Sequence, residues 1–315
     1  MNRKFLSELN INDVATLPLV VTAATARETK AKKPFLTVDL FDGVESIAGN
    51  YWDWSSGNIP AKNAILNVTA QVTEWQGAKQ LNISKLASCD EYALQDFMPT
   101  SGVDVDKTWH NAQQLIGFIS DPDLKLLASE VFNQLEDKWR SAPGAIKIHH
   151  AYVAGTLVHT LETAEIASSI CGCIPEANKS LCIAAALLHD LGKLFSYKID
   201  GVTIDHTAEG LLYDHTFMGA NFISNFAEEL LGSNYKISLL MHCILAHHGK
   251  LEHGAAVSPA CIEAHIVHHA DVISAAAEIL RATKPQGPMF TERIWALDNK
   301  PHIQPQWTRD LFSTD

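Results

Sequence analysis

Between residues 14 and 88, apolar and polar positions alternate in short β-rich runs, the period of strands that bury one face. The runs are Leu17–Ala24, Phe35–Phe41, Val44–Trp54, Ala64–Trp75 and Gln80–Leu86. Asp42-Gly43 is a turn signal between two of them, because glycine takes the positive φ that a tight hairpin needs. The stretch Gly57 to Asn63, with Pro60, separates the third run from the fourth and leaves room for a loop or short helix. Five strands in so short a segment suit a small barrel better than a fragment of a β-sandwich.

From Trp109 onward the period becomes helical. Leu124, Leu127, Ala128, Val131, Phe132 and Leu135 recur at intervals of three and four, and Asp121-Pro122 is suited to the helix start, with the carboxylate at the positive end of the dipole. Further helices are expected at Val153–Cys171, Ser180–Asp190, His215–Leu231 and Lys236–His247, then from Pro259–Glu263 through His269, with a last one over Asp271–Ala282. Pro99 to Asp106 reads as a linker, and Lys284 to Asp315, dotted with proline, as an extended tail packed on the helices. The expected architecture is multidomain α and β: an N-terminal OB-fold β-barrel in residues 1–90, a linker with leading helices in 91–145, an all-α helical bundle in 146–283, and the tail in 284–315.

Composition narrows the function classes. Apolar residues make up 47% and charged residues 19%, and no run approaches the roughly 18–20 apolar residues that span a bilayer. Met1 to Glu8 lacks an apolar core of signal-peptide length. The six cysteines form no disulfide or zinc-ribbon pattern, Cys171-Gly172-Cys173 lacking a second pair; reduced thiols in a cytoplasmic protein are expected, with no membrane partner. The net charge is −12. Residues 1–90 carry 9 Lys/Arg and 9 Asp/Glu, so the remaining 15 against 27 hold the whole excess. Such a chain is a poor nonspecific binder of duplex DNA, whose affinity comes from phosphate contacts, but a short single strand held by stacking and metal is not excluded.

The chemistry concentrates where the apolar run Leu181 to Leu188 ends in His189-Asp190-Leu191-Gly192-Lys193. A helix apolar nearly all round is buried, and buried charges are normally paired or bound to metal. Of the 15 histidines, 13 lie between His149 and His269. His159, His189, Asp190, His215, the pair His247-His248 and Asp271 come from different helices, apart from adjacent residues, and could surround a two-metal cluster in a bundle. Mixed imidazole and carboxylate donors suit Mn, Fe, Co or Zn better than Mg or Ca. Bland readings compete. A lone helical His159 is more often a hydrogen-bonded core residue, His189-Asp190 could cap a helix, and Lys193 could serve only the helix dipole. His206, in Asp205-His206-Thr207, competes with His215. His149, His150, His268 and His269 could touch substrate or be structural, with His268 sharing a helix face with Asp271. His110, His242, His253, His265 and His302 read as structural.

The ordered set His159, His189-Asp190, His215, His247-His248 and Asp271 resembles the HD phosphohydrolase superfamily in its two-metal form. Pro143–Thr160, Ala186–Lys193, His247–Leu251, Phe97-Met98-Pro99-Thr100-Ser101 and Phe290-Thr291-Glu292-Arg293-Ile294 are similar to text of the YhaM-type 3′→5′ exoribonucleases, which place an OB-fold domain before an HD domain. The resemblance implies two divalent transition-metal ions, most often Mn, held by His159, His189, Asp190, His215, Asp271 and one of His247 or His248, with His247 favoured. It implies that Asp190 bridges the ions, that Lys193 contacts the scissile phosphate, and that a water ionised between the metals attacks phosphorus. The product would be a nucleoside 5′-monophosphate cut from the 3′ end of single-stranded RNA, with DNA left open. His149, His150, Phe35, Trp52, Lys32 and Lys33 are the candidate substrate contacts. For the barrel, Phe35, Tyr51, Trp52, Trp54 and Trp75 supply aromatic rings, Arg27, Lys30, Lys32, Lys33 and Lys79 supply charge, and Trp52 and Trp54, two apart, are expected on one sheet face. The family pattern has a glycine before Pro34-Phe35 that this chain lacks. Two other functions stay open: an HD phosphohydrolase acting on a small nucleotide, and a noncatalytic single-strand-binding protein. A homo-oligomer is compatible with all three.

Overall fold

Strands β1 (Val14–Glu28), β2 (Pro34–Phe41), β3 (Ser46–Tyr51), β4 (Ile65–Trp75) and β5 (Ala78–Ser88) close into a barrel in the order β1-β2-β3-β5-β4. The computed structural model describes residues 4–55, 57–92, 94–98, 102–146 and 150–312. The chain divides into two units, Met1–Pro99 with Ile199–Thr203, and Thr100–Lys198 with Ile204–Asp315.

The long β1 lets the barrel close. Its first half pairs with β4 (Val14 with Gln71 to Val20 with Ile65) and its second half with β2 (Val20 with Phe41 to Glu28 with Pro34). A register shift between Val21 and Ala23 bends the strand between its two partners, as β-bulges do. Leu17, Leu19, Leu36, Val38, Leu40, Val68, Val72, Leu81 and Ile83 alternate inward to fill the centre. Closure comes from the parallel pair β3 and β5, with Gly49 opposite Leu81. A Cβ on Gly49 would stand 2.8 Å from Ile83 Cδ1 and 3.2 Å from Leu81 Cβ, so the absent side chain makes room for the inward Ile83 and Leu81 of β5. At the expected Asp42-Gly43 turn, the buried Asp42 carboxylate accepts the N–H groups of Leu6, Val44 and Glu45. In the β1–β2 loop Lys32 itself adopts φ +56, the left-handed conformation for which glycine is the usual residue.

In the second unit the helices are α1 (Val105–Gly117), α2 (Pro122–Gln134), the single turn α3 (Glu136–Trp139), α4 (Gly155–Cys171), α5 (Lys179–Leu188), the short α6 (Lys193–Ser196), α7 (Ala208–Tyr213), α8 (His215–Leu231), α9 (Tyr235–Ala246), α10 (Ile262–Ala282) and α11 (Pro305–Phe312). Asp121 caps α2, accepting from the N–H groups of Asp123 and Leu124. Every residue of α5 from Ser180 to Leu188 is buried, and α1, α2, α4, α9 and α10 all pack against it. The apolar run is therefore the axis of the bundle, and its end delivers His189 and Asp190 to the interior.

Several sequence expectations need correction. Asp271 does not begin a helix: α10 runs unbroken through it, because the buried stripe Ala264, Val267, Ala270 and Ser274 continues past it. A two-stranded sheet, β6 (Tyr197–Asp200) paired with β7 (Thr203–His206), interrupts the run of helices. Nor is the tail simply extended: β8 (Pro285–Gln286) pairs with β9 (Phe290–Thr291), and α11 follows with none of its residues buried. β3 ends at Tyr51, so Trp52 and Trp54 lie beyond the strand and the period-two argument does not apply to them. All six cysteines are free. Among the described residues, no helix is long and apolar enough to cross a membrane.

Candidate metal centre

Asp190 is the hub of the site. Its buried carboxylate presents Oδ2 to His189 Nε2 at 3.3 Å and to His159 Nε2 at 3.4 Å, and Oδ1 to His215 Nε2 at 3.5 Å and to His247 Nε2 at 3.8 Å. Asp271 Oδ1 lies 3.0 Å from His159 Nε2 and 4.0 Å from His189 Nε2. The donors thus fall into two groups on either side of one carboxylate. Ligand atoms of His159, His189 and Asp271 all lie within 4.8 Å of one another, and so do those of His215, His247 and His248.

Close backbone packing makes this convergence possible. Gly192, two residues past Asp190, sits against the first turn of α8, where a Cβ would stand 1.8 Å from His215 O and 2.7 Å from Gly219 N. Only glycine allows the chain leaving α5 to touch α8 and bring Asp190 up to His215. Asp214 takes φ +64 to start α8 and accepts the Thr216 N–H.

The outer nitrogen of four rings is already engaged. His189 Nδ1 bonds Ala186 O at 2.8 Å and His247 Nδ1 bonds Ile244 O, each on its own helix. His215 Nδ1 lies 3.1 Å from Asp214 Oδ1, and His159 Nδ1 lies 3.0 Å from Ser274 Oγ. Carbonyl and carboxylate oxygens only accept, so Nδ1 carries the proton in three rings and Nε2 offers its lone pair inward. The fourth ring follows the same rule, since the Ser274 hydroxyl donates onward to Glu162 Oε2 at 2.9 Å. His159 Nε2 and His189 Nε2 then face each other 3.3 Å apart, an arrangement of two lone pairs that calls for a cation between them. The buried Nε2 atoms of His215 and His247 and Nδ1 of His248 have no hydrogen-bond partner. Unpaired imidazole nitrogens beside ionised carboxylates are what divalent transition metals bind, so the residues present fit a metal centre.

Electrostatics keep the carboxylates ionised and leave two of the rings neutral. Burial opposes the charge on Asp190, but Lys193, His189 and His159 outweigh it and hold the carboxyl well below the usual range. Asp271 is also depressed, burial being outweighed by His159 and His189. Burial and the neighbouring His189 and His248 push His247 well down. Burial and His215 lower His248. These two rings are therefore neutral electron-pair donors near pH 7. His189 goes the other way: burial disfavours its charge, yet Asp190 and Asp271 raise its pKa. Lys193, buried but 2.7 Å from Asp190 Oδ2, is likewise raised by that carboxylate against its burial.

The other candidates are placed differently. His149 lies outside the described residues. His150 is buried, bonded through Nδ1 to the Tyr152 hydroxyl at 2.8 Å, with its ring 5.1 Å from that of His159. His206 sits on β7 against the Tyr197 ring. His268 does not bond Asp271; its Nδ1 bonds His247 O at 2.7 Å. His242 accepts the Ala260 N–H, and His302 bonds Leu297 O. On the barrel, Phe35 and Trp52 stack on each other with centroids 4.5 Å apart, Lys33 faces Asp53 at 3.5 Å, and Lys32 is exposed. Two residues behind the centre carried no sequence signal of their own: Ser274, bonded to His159, and Glu162, bonded to Ser274. Their spacing of three from Asp271 and from His159 would have put each on its ligand's helix face.

Residues 156–276 match the family model described as HD domain. The helical region holds an HD domain. HD domains bind divalent metals, and the match implies a metal-dependent phosphohydrolase. Among solved structures, the chain is similar at 25% identity to a domain of replication protein A from Methanococcus maripaludis, over 27% of this chain and 91% of that one, with a TM-score of 0.24. A putative aspartyl-tRNA synthetase from Leishmania major Friedlin is 18% identical over 47% of this chain and 36% of its own, with a TM-score of 0.21.

Proposed function

We propose that the protein is a metal-dependent 3′→5′ exonuclease of single-stranded RNA, with DNA as an open second substrate, releasing nucleoside 5′-monophosphates. The observation that carries the reading is the pair of donor groups on either side of Asp190. The five-stranded OB-like barrel ahead of the HD domain favours a polymer over a small nucleotide, because OB-folds hold single strands through a groove and stacking.

His159, His189 and Asp271 would hold one ion, His215 with His247 or His248 the other, and Asp190 both. Divalent ions there supply Lewis acidity at phosphorus and make hydroxide available near neutral pH. The protein's own part is positioning and charge. Asp190 and Asp271 stay ionised, and the neutral rings of His247 and His248 keep their lone pairs. Lys193, fixed to Asp190, holds a permanent cation where a nonbridging phosphate oxygen would meet it. The buried apolar residues of α5 back the centre with a low-dielectric wall, which strengthens each of these interactions.

A 5′-labelled single-stranded RNA with Mn²⁺ tests the reading, wild type against Asp190→Ala. The expected result is a ladder shortening from the 3′ end with the wild type and none with the variant. A folded, metal-loaded wild type that leaves the RNA intact would sink the reading. Hydrolysis of free nucleotides in the same assay would move the assignment to a small-nucleotide phosphohydrolase. That second reading has one observation in its favour, the acidity of the chain beyond residue 90.

A further inference from the structure

Helices α4 and α10 pack side by side, and each repeats one pattern: a residue at the metal centre, then, three positions on and on the same helix face, a residue one turn farther along. On α4 these are His159 and Glu162; on α10 they are Asp271 and Ser274. The outer pair meets. Ser274, buried, accepts from His159 Nδ1 at 3.0 Å and donates to Glu162 Oε2 at 2.9 Å. Glu162 Oε1 accepts from Arg281 at 2.9 Å, and Arg281 also binds Glu278 at 2.9 Å. The result is a chain from a half-exposed guanidinium through a carboxylate and a hydroxyl to the back of one imidazole in the centre.

We propose that Glu162 and Ser274 form a positioning relay that sets the tautomer and ring orientation of His159 and so raises the affinity of the centre for its cation. The inference rests on the metal-centre reading above and goes beyond it in naming what prepares the ligand. The direction of each hydrogen bond follows from the chemistry. Glu162, paired with Arg281, is a carboxylate and accepts only, so the Ser274 proton points at it. Ser274 is then left with lone pairs for His159 and must receive the Nδ1 proton, which commits Nε2 to the centre. A hydroxyl whose proton is drawn to a carboxylate is also a better acceptor, so the negative charge of Glu162 is passed on to the ring and makes Nε2 a stronger donor to a cation.

His159 differs from its neighbours in this respect. His189 and His247 are held by carbonyls of their own helices at i−3, fixed whenever those helices form. His159 depends on a second helix, so its orientation reports the α4–α10 contact. Arg281 stands half exposed at the far end of the relay, 2.9 Å from Glu162 Oε1. His150 Nε2 stands 3.8 Å from Glu162 Oε2 and is the other imidazole on this carboxylate.

Two variants of the 315-residue chain test the relay, Ser274→Ala and Glu162→Gln. Each is stripped with chelator and titrated with Mn²⁺ by electron paramagnetic resonance, with thermal unfolding of the metal-free form measured alongside. Removing an outer partner of a metal-bound histidine weakens metal binding about 10- to 100-fold. The expected result is a loss of that size for Ser274→Ala, a smaller one for Glu162→Gln, which keeps the shape but not the charge, and metal-free unfolding midpoints close to the wild type. If Ser274→Ala unfolds, Glu162→Gln decides alone, since Glu162 is only partly buried. Mn²⁺ affinities equal to the wild type in the folded variants overturn the relay and leave the metal centre standing. A wild type that takes up no Mn²⁺ overturns the metal-centre reading and the relay with it.

Discussion

Replacing Gly192 with alanine should separate the two donor groups while leaving most of the bundle intact. The new Cβ would stand 1.8 Å from His215 O and 2.7 Å from Gly219 N, against a floor of 3.0 Å for real Cβ contacts. The first of these must open by about 1.2 Å (3.0 − 1.8). Both colliding groups are backbone, so no side chain can rotate away. If α8 moves by that amount, the 3.5 Å from His215 Nε2 to Asp190 Oδ1 becomes roughly 4.7 Å, when metal geometry tolerates about 0.2 Å. The strain costs about 1–3 kcal/mol, toward the upper end here, or a fall of several degrees in Tm. Gly117→Ala is the matched control: nothing lies within 4 Å of its added Cβ, and alanine there should be neutral or stabilise by up to about 1 kcal/mol. The assay is thermal unfolding with bound metal measured by mass spectrometry. A Gly192→Ala protein that keeps the wild-type Tm and metal content would refute the reasoning.

Two further outcomes follow from the α2 start. Asp121→Ala removes the acceptor of two orphan N–H groups and should destabilise the helical unit by about 1 kcal/mol in a denaturant titration; an unchanged midpoint counts against the cap. Lys236 lies 2.7 Å from Asp121 and 2.8 Å from Asp123. In Asp121 burial opposes the charge, but Lys236 and the helix N–H groups outweigh it, and in Asp123 Lys236 and Asn234 act together, so both carboxyls sit below their ordinary 3.8. Depressed carboxyls contribute stability that is present above about pH 3.8 and lost as pH falls through the folded values. Lys236→Met should therefore unfold at a higher pH in an acid titration followed by circular dichroism, and an identical acid midpoint would contradict that.

Much of the fold was legible because local and tertiary signals agree. The run Leu181 to Leu188 reads as a buried helix, and it is the axis of the bundle. Asp121-Pro122 reads as a helix start, and it is one. His215 to Leu231 reads as a helix, with those bounds. The errors arise where a local cue met a longer pattern. Asp271 after His268-His269-Ala270 looks like a cap, but the apolar stripe of α10 carries the helix through it. Trp52 and Trp54 look like one strand face, but the strand stops before them and Trp52 turns onto Phe35. In the candidate site, titratable residues announce themselves by type, and spacing puts them on helices that converge. Their outer partners do not. Ala186 O and Ile244 O are anonymous carbonyls, and Ser274 acquires its role only when α10 lies against α4.

The central claim is that Asp190 joins two cation sites, and ion stoichiometry tests it most directly. Chelator-stripped protein would be titrated with Mn²⁺ by calorimetry, as wild type, His159→Ala, His215→Ala and Asp190→Ala. The account predicts two ions per chain for the wild type, one strong site lost in each histidine variant, and neither site retained at the same affinity in Asp190→Ala. A wild type that binds no ion, or an Asp190→Ala protein that binds two as tightly as the wild type, would contradict it.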